Sequence, residues 1–188
     1  MTAVATKKAK AKAGFKMSSK ETLRANARRK IEEGALTVGY AANRDQVVKL
    51  LNEALATEIV CTLRYKRHYF TATGVHAEGV AAEFLEHATQ EQEHADAIAK
   101  RIVELGGEPD FSPDTLTSRS HAEYVPGKNL ADMVKENLIA ERIAIDSYRE
   151  MIEVIGNDDT TTRRMLEWIL SVEEEHADDL AGLLDAGR

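Results

Sequence analysis

A chain of 188 residues is long enough for one domain with a complete core and too short for two comfortable ones. Its hydrophobic share of 43% and charged share of 30% suit a soluble helical protein, and no apolar run approaches the roughly 18 residues of a membrane span. The single cysteine, Cys61, excludes an intramolecular disulfide and a Cys-x-x-Cys metal site, which agrees with a cytoplasmic, reducing location.

The net charge of -7 hides an asymmetry, because residues 1–30 hold seven Lys, three Arg and one Glu. Residues 1–43 are therefore predicted as a separate region: a disordered, Ala- and Lys-rich tail followed by a short helix and a connector. Ser18 and Glu21 have the spacing of a capping box, and the helix that they begin is expected to stop at Gly34.

The remaining region, residues 44–188, is predicted to contain four long helices, because apolar residues recur at steps of three and four. The first should span about 44–72 and the second about 76–105. The third ends at Gly156, and the fourth begins after a capping turn at residues 157–160.

A connection of about 20 residues, 108–128, separates the second and third helices and contains all three prolines. Helical hairpins need only about 2 to 8 residues, so this segment is expected to cross the length of the bundle. The third helix would then start at the same end as the second. The predicted fold is all-α, a four-helix bundle with one long crossover.

One sequence motif occurs twice in the chain. Glu91-Gln-Glu-His94 is answered by Glu173-Glu-Glu-His176, and both continue as Ala-Asp. A further glutamate, Glu58 or Glu141, precedes each motif by 33 or 32 residues. This spacing indicates an internal repeat of two helix pairs.

All six of these residues occupy helix positions that Leu, Ile and Val otherwise fill. Four carboxylates in one core are prohibitively costly unless something compensates their charge, and two divalent cations would balance them. An isolated Glu-x-x-His is common on solvated helices, but a Glu from each of two helices and a Glu-x-x-His from each of the others is the pattern of di-iron carboxylate bundles. Oxygen ligands with two imidazoles favour Fe or Mn, whereas structural Zn favours Cys.

In that geometry we expect Glu91 and Glu173 to bridge two metal ions. Glu58 and Glu141 would bind terminally. The two histidines would bind one ion each, so the predicted metal and catalytic residues are Glu58, Glu91, His94, Glu141, Glu173 and His176.

The chain resembles ferritin-like di-iron proteins, and in motif most of all bacterioferritins, over residues 44 to about 184. The resemblance rests on TEIVCTLRY around Glu58, EQEHAD around Glu91, AERIAIDSY around Glu141 and EEEHAD around Glu173. It implies ferroxidase activity, in which Fe(II) is oxidised by O2 or hydrogen peroxide at two iron sites per subunit. Mn and Zn are expected to be able to take the place of iron at these two sites. The Fe(III) would be stored in a hollow homo-oligomeric shell.

Two departures qualify the resemblance. Haem-bearing bacterioferritins have Met after the first motif glutamate, where this chain has Gln92, so haem is not expected. The fifth helix of 24-subunit shells is also not expected here. The related starvation-induced, DNA-binding proteins form 12-subunit shells and often carry a Lys-rich tail, so a 12-mer is favoured over a 24-mer.

The tail lysines can neutralise DNA phosphates regardless of base sequence, which would allow association with the nucleoid, or they can act as a solubilising tail. They are Lys7, Lys8, Lys10, Lys12, Lys16 and Lys20. DNA protection is accordingly the first alternative function. A di-iron oxidase or hydroxylase acting on an organic substrate is the second.

Other polar residues near the motifs have two interpretations each. Tyr65 and Tyr148 lie seven residues after Glu58 and Glu141, and either support catalysis or are packed aromatics; Tyr65 is included among the catalytic residues because the resemblance places a tyrosine there. His87 is an extra metal ligand or, by preference, a core histidine. Glu83, Glu86 and Gln90 are assigned to the solvated side of their helix.

Overall fold

The computed structural model describes residues 17–75 and 77–186 of the chain. It divides into two units, Met1–Gly39 and Tyr40–Arg188. The predicted disordered tail falls almost entirely on residues 1–16, which lie outside the described residues. Within the described ranges the secondary structure is helical and contains no strand, which confirms the all-α prediction.

The first unit contains helix α1, Lys20–Asn26, and a 3-10 turn at Ile31–Glu33. The predicted cap was one residue off, because Ser19 rather than Ser18 accepts the hydrogen bond from the Thr22 amide, at 3.2 Å. The helix is also shorter than predicted. None of its residues is buried, and a helix of this length without a packed face is marginal in water.

The second unit is built on four long helices, in agreement with the predicted bounds. They are α2 (Arg44–Thr71), α3 (Ala77–Glu104), α5 (Leu130–Ile155) and α6 (Thr160–Ala186), with a short α4 (Leu116–Arg119) between the pairs. No helix in the described part of the chain combines the length and hydropathy that crossing a lipid bilayer would require.

The helix ends follow local side-chain chemistry. Asn43 and Asn129 accept hydrogen bonds from backbone amides in the first turns of α2 and α5. Asp159 does the same for the Thr162 amide at the start of α6, at 2.9 Å, which confirms the predicted capping turn. Gly156 ends α5 with φ +56°, a conformation that glycine adopts without steric cost.

The relative directions of the helices follow from contacts across the bundle. Residues 72–76 are too few to join α2 and α3 in any arrangement but an antiparallel one. Between α2 and α5, Tyr65 contacts Glu141 and Tyr148 contacts Glu58, so residue numbers rise along one helix as they fall along the other. Both α3 and α5 are therefore antiparallel to α2, and α5 starts at the same end as α3, as predicted.

The crossover between α3 and α5 lies along α2 and is held by polar side chains of that helix. Arg64, which is fully buried, donates from Nη1 to the Glu123 carbonyl at 2.9 Å. Arg67 donates to the Pro126 carbonyl at 2.6 Å, and Asn52 donates to the Glu108 carbonyl at 3.2 Å. Helix α4 within this segment was not predicted.

Candidate metal centre

The four long helices bring all six predicted ligands together in the middle of the bundle. Each side chain is at most 2% exposed, so the centre is enclosed by protein. Glu58 comes from α2, Glu141 from α5, and each Glu-x-x-His pair from α3 or α6. The i, i+3 spacing places the glutamate and histidine of a pair on one helix face.

The donor atoms form two overlapping groups, and within each group they all lie within 4.8 Å of one another. Glu91 and Glu173 belong to both groups, which is the arrangement expected of bridging carboxylates. The first group is Glu58, Glu91, His94 and Glu173, and the second is Glu91, Glu141, Glu173 and His176.

The distances within the groups are compatible with shared cations. His94 Nδ1 lies 3.2 Å from Glu58 Oε2 and 3.0 Å from Glu173 Oε1. His176 Nδ1 lies 3.6 Å from Glu91 Oε1 and 3.5 Å from Glu173 Oε2. Two ligands bound at about 2.1 Å to one ion with a tetrahedral angle stand about 3.4 Å apart.

Several buried atoms that could ligate a metal in this centre have no hydrogen-bond partner. These are Glu91 Oε1, Glu141 Oε2, both carboxylate oxygens of Glu173, and His176 Nδ1. Leaving a buried polar atom unpaired costs about 1–3 kcal/mol, and more when it is charged. A pair of cations would satisfy all five atoms, so the donor set fits two metal ions.

Burial dominates the electrostatics of the carboxylates. It raises the pKa of Glu91 and of Glu141 well above the usual value, with Glu173 as the next largest cause in both cases. Burial together with Glu58 also raises the pKa of Glu173. Burial acts in the same direction on Glu58, but hydrogen bonds from Glu91 and His94 hold its pKa below the usual value.

The two histidines respond in opposite directions. For His94, burial opposes the charged form, but the carboxylates of Glu173 and Glu58 beside its Nδ1 prevail and raise the pKa to about 10. For His176, burial lowers the pKa. In a metal-free centre the protonated forms of Glu91, Glu141, Glu173 and His94 are therefore favoured, and a cation that binds there competes with those protons.

The tyrosines bond across the bundle, each to the glutamate of the opposite helix. Tyr65 donates to Glu141 Oε1 and Tyr148 donates to Glu58 Oε1, and both rings are buried. Seven residues advance a helix by about 10.5 Å, and here each tyrosine bonds the glutamate of the facing helix rather than that of its own. Both hydroxyls are thus satisfied by a predicted ligand, and the catalytic role of Tyr65 remains a prediction.

One residue that orients the centre was missed from the sequence. Gln90 Oε1 accepts a hydrogen bond from His176 Nε2 at 2.7 Å, which leaves the Nδ1 lone pair directed at the carboxylates. Glu86 is on the solvated side as predicted, but that assignment was wrong for Glu83 and Gln90, which are half-buried. The steps of three and four residues from Gln90 to His87 and His94 were the available signal.

Trp168 of α6 also borders the centre. Its ring meets the His94 ring edge-on, with centroids 5.2 Å apart, while the tryptophan remains 44% exposed.

Two curated proteins show what the chain is similar to. Bacterioferritin of Desulfovibrio desulfuricans is 28% identical over 141 residues, which cover 72% of this chain and 75% of that protein. A nutrient stress-induced DNA-binding protein of a Synechococcus species is 30% identical over 144 residues, which cover 74% of this chain and 81% of that protein.

Among solved structures, a dodecameric thioferritin of Bacteroides fragilis, described as bacterioferritin-related, superposes with a TM-score of 0.75. It is 31% identical, and the match covers 79% of this chain and 90% of that one. The sequence model of the ferritin-like domain matches residues 48–188, which include all six predicted ligands. The chain belongs to the ferritin-like domain family.

Proposed function

We propose that this protein oxidises Fe(II) to Fe(III) at the centre formed by Glu58, Glu91, His94, Glu141, Glu173 and His176, and stores or detoxifies the product. The observation that carries the proposal is the pair of overlapping donor groups, which share Glu91 and Glu173 and contain five buried donor atoms without partners. Two Fe(II) ions bound there would together supply two electrons, enough to reduce O2 to hydrogen peroxide or hydrogen peroxide to water.

The chain's own part is to hold and orient the donors. Tyr65 and Tyr148 each bind one oxygen of a terminal glutamate, so the second oxygen of Glu141 is left for a cation. Gln90 sets the tautomer of His176. Fe(II) would compete with protons at Glu91, Glu141, Glu173 and His94, whose pKa values are raised, so Fe(II) affinity should rise with pH.

The test is the initial rate of Fe(II) oxidation under O2 and under hydrogen peroxide. Replacing both shared carboxylates, Glu91→Ala with Glu173→Ala, should reduce the rate to that of free Fe(II). The matched control is Glu93→Ala with Glu175→Ala, because these exposed glutamates lie two residues further along the same helices. An unchanged rate in the first variant would refute the proposal.

A homo-oligomeric shell is the second part of the proposal. It is supported by the relation to the dodecameric thioferritin and by an open apolar groove of about 1230 Å³. The groove is lined chiefly by Val80, Leu130, Val134, Leu138, Leu183 and Leu184. Exposed apolar surface of this kind is typical of interfaces, and here it suits a second copy of the chain.

Particle mass measured together with iron content decides between storage and the organic-substrate oxidase. A particle of about twelve subunits that takes up many irons per subunit supports storage. A dimer that retains only the ions of the metal centre favours an oxidase.

DNA binding is a second candidate function, favoured by the Lys-rich residues 1–30 and by the relative that is named a DNA-binding protein. Attraction between lysines and phosphates is independent of base sequence and weakens with salt. Gel shifts of the whole chain and of a chain without residues 1–30 should show retardation only for the whole chain, and only at low salt. Equal retardation of both chains would count against this function.

A further inference from the structure

A second cluster of potential ligands lies beside the metal centre and shares none of its six residues. His87 Nε2 is 3.4 Å from Glu83 Oε1 and 3.8 Å from Asp179 Oδ2, and the donor atoms of all three lie within 4.8 Å of one another. The cluster joins α3 to α6 one helical turn from the centre, and the His87 ring stacks on the His176 ring at 3.9 Å.

The hydrogen bonds around His87 determine which of its nitrogens is free. The Tyr65 hydroxyl donates its only proton to Glu141, so its oxygen must accept from His87 Nδ1, which lies 3.2 Å away. Nδ1 therefore carries a proton. In a neutral ring this leaves the Nε2 lone pair facing the carboxylates of Glu83 and Asp179.

The distances favour a cation between these groups over a direct ion pair. A protonated Nε2 would be drawn to a carboxylate oxygen at about 2.7–2.9 Å. The observed 3.4 Å and 3.8 Å are longer, and they approach the separation of about 3.4 Å between two ligands of one ion. His87 is only 2% exposed at its side chain, so its lone pair has little access to water.

We propose that Glu83, His87 and Asp179 form a third cation site, which takes a divalent ion of the Fe(II), Mn(II) or Zn(II) class. One imidazole and two carboxylates are ligands that such ions share. The side-chain exposure falls from 57% at Asp179 through 33% at Glu83 to 2% at His87, so the site leads inward from solvent. Its use as a staging position for Fe(II) rests on the proposed function, whereas the binding of a cation does not.

Zn(II) is the probe, because it is not oxidised and its stoichiometry can be counted after equilibrium dialysis of the full chain. Glu83→Gln with Asp179→Asn should lose one bound Zn(II) per chain or weaken that ion's binding at least about tenfold. The matched control is Glu86→Gln with Asp178→Asn, because these are exposed acidic neighbours in the same two helices. The control should bind as many ions as the unaltered chain.

A second variant separates this inference from the proposed function. With Glu91→Ala and Glu173→Ala the metal centre is lost, but one Zn(II) should remain, and anomalous diffraction should place it between His87 and Asp179. If that ion is retained and Fe(II) oxidation is unaffected, the proposed function is refuted and the third site is supported. Equal Zn(II) counts with equal affinities in the Glu83/Asp179 variant and its control would overturn the third site.

Discussion

The α2–α3 half and the α5–α6 half of the candidate metal centre contribute the same types of side chain, but the neighbours of those side chains differ. In the first half, His94 Nδ1 is held between Glu58 and Glu173, at 3.2 Å and 3.0 Å, and its ring meets Trp168. In the second half, His176 donates to Gln90 and its Nδ1 is without a partner.

This difference has a chemical consequence. The pKa of His94 is raised to about 10, so a cation that binds there must displace a proton from the ring. The pKa of His176 is lowered by burial, so its nitrogen is already free. A repeat that duplicates the ligands can thus still produce two unequal metal positions, because their neighbours are not duplicated.

The largest effect is expected from metal removal at raised pH. The folded, metal-free chain holds a proton on His94 that the unfolded chain releases near pH 6.5, so this stabilising contribution is complete below about pH 6.5 and is lost as pH rises through about 10. The raised pKa values of Glu91, Glu141 and Glu173 also make the folded chain less stable as pH rises, and this loss begins in the usual carboxylate range. Glu58, whose pKa is lowered, acts only below this window.

The measurement is chemical denaturation of the metal-free and Mn(II)-loaded chains between about pH 7.5 and 9.5, above the range in which the lowered pKa values of His87 and His176 make stability rise with pH. Stability of the metal-free chain should fall with pH, and saturating Mn(II) should restore several kcal/mol, since about 4 kcal/mol accrues per site at a thousandfold excess over Kd. Parallel pH profiles with and without Mn(II) would show that the centre does not exchange protons for cations.

Removing one terminal ligand from each half should produce the next largest effect. Glu58→Ala and Glu141→Ala each damage one donor group and leave the other intact. Each should reduce the initial rate of Fe(II) oxidation at least about a hundredfold, because losing a ligand costs no less than losing an outer partner. Glu150→Ala, an exposed control in α5, should retain the full rate.

Gln90→Leu should affect only the half that contains His176. Loss of the hydrogen bond to Nε2 should weaken one of the two central cations about 10- to 100-fold and leave the other unchanged. Titration with Co(II), followed by its absorption spectrum, resolves the two binding steps. Gln92→Leu is the control, because that side chain is exposed and donates to Asp96. Equal weakening of both steps by Gln90→Leu would contradict the asymmetry.

The smallest expected effect is the difference between Tyr65→Phe and Tyr148→Phe in the free energy of unfolding. Tyr65→Phe removes the donor to Glu141 and the acceptor of His87, whereas Tyr148→Phe removes only the donor to Glu58. One additional unpaired buried group costs about 1–3 kcal/mol, so Tyr65→Phe should lower the metal-free free energy of unfolding by that much more. Identical losses would mean that His87 finds another partner.

Much of this architecture can be predicted from the sequence because it depends on local chemistry. The bounds of α2 and α6 follow from Asn43 and Asp159 as caps. The six predicted ligands can be picked out because carboxylates at core positions are too costly without compensation of their charge. The prediction of Ser18 as the helix cap was wrong because the adjacent Ser19 offers the same hydroxyl, and only backbone geometry selects between them.

By itself, the sequence determined the helical class, the direction of the crossover and which six side chains meet, since periodicity and the energetic cost of buried charge are properties of the chain. Only the tertiary structure decided which neighbours those side chains have. The crossed bonds of Tyr65 and Tyr148, the partner of His176, and the convergence of His87 with Asp179 each join residues from different helices. The register between packed helices sets such pairings, and no spacing within one helix encodes that register.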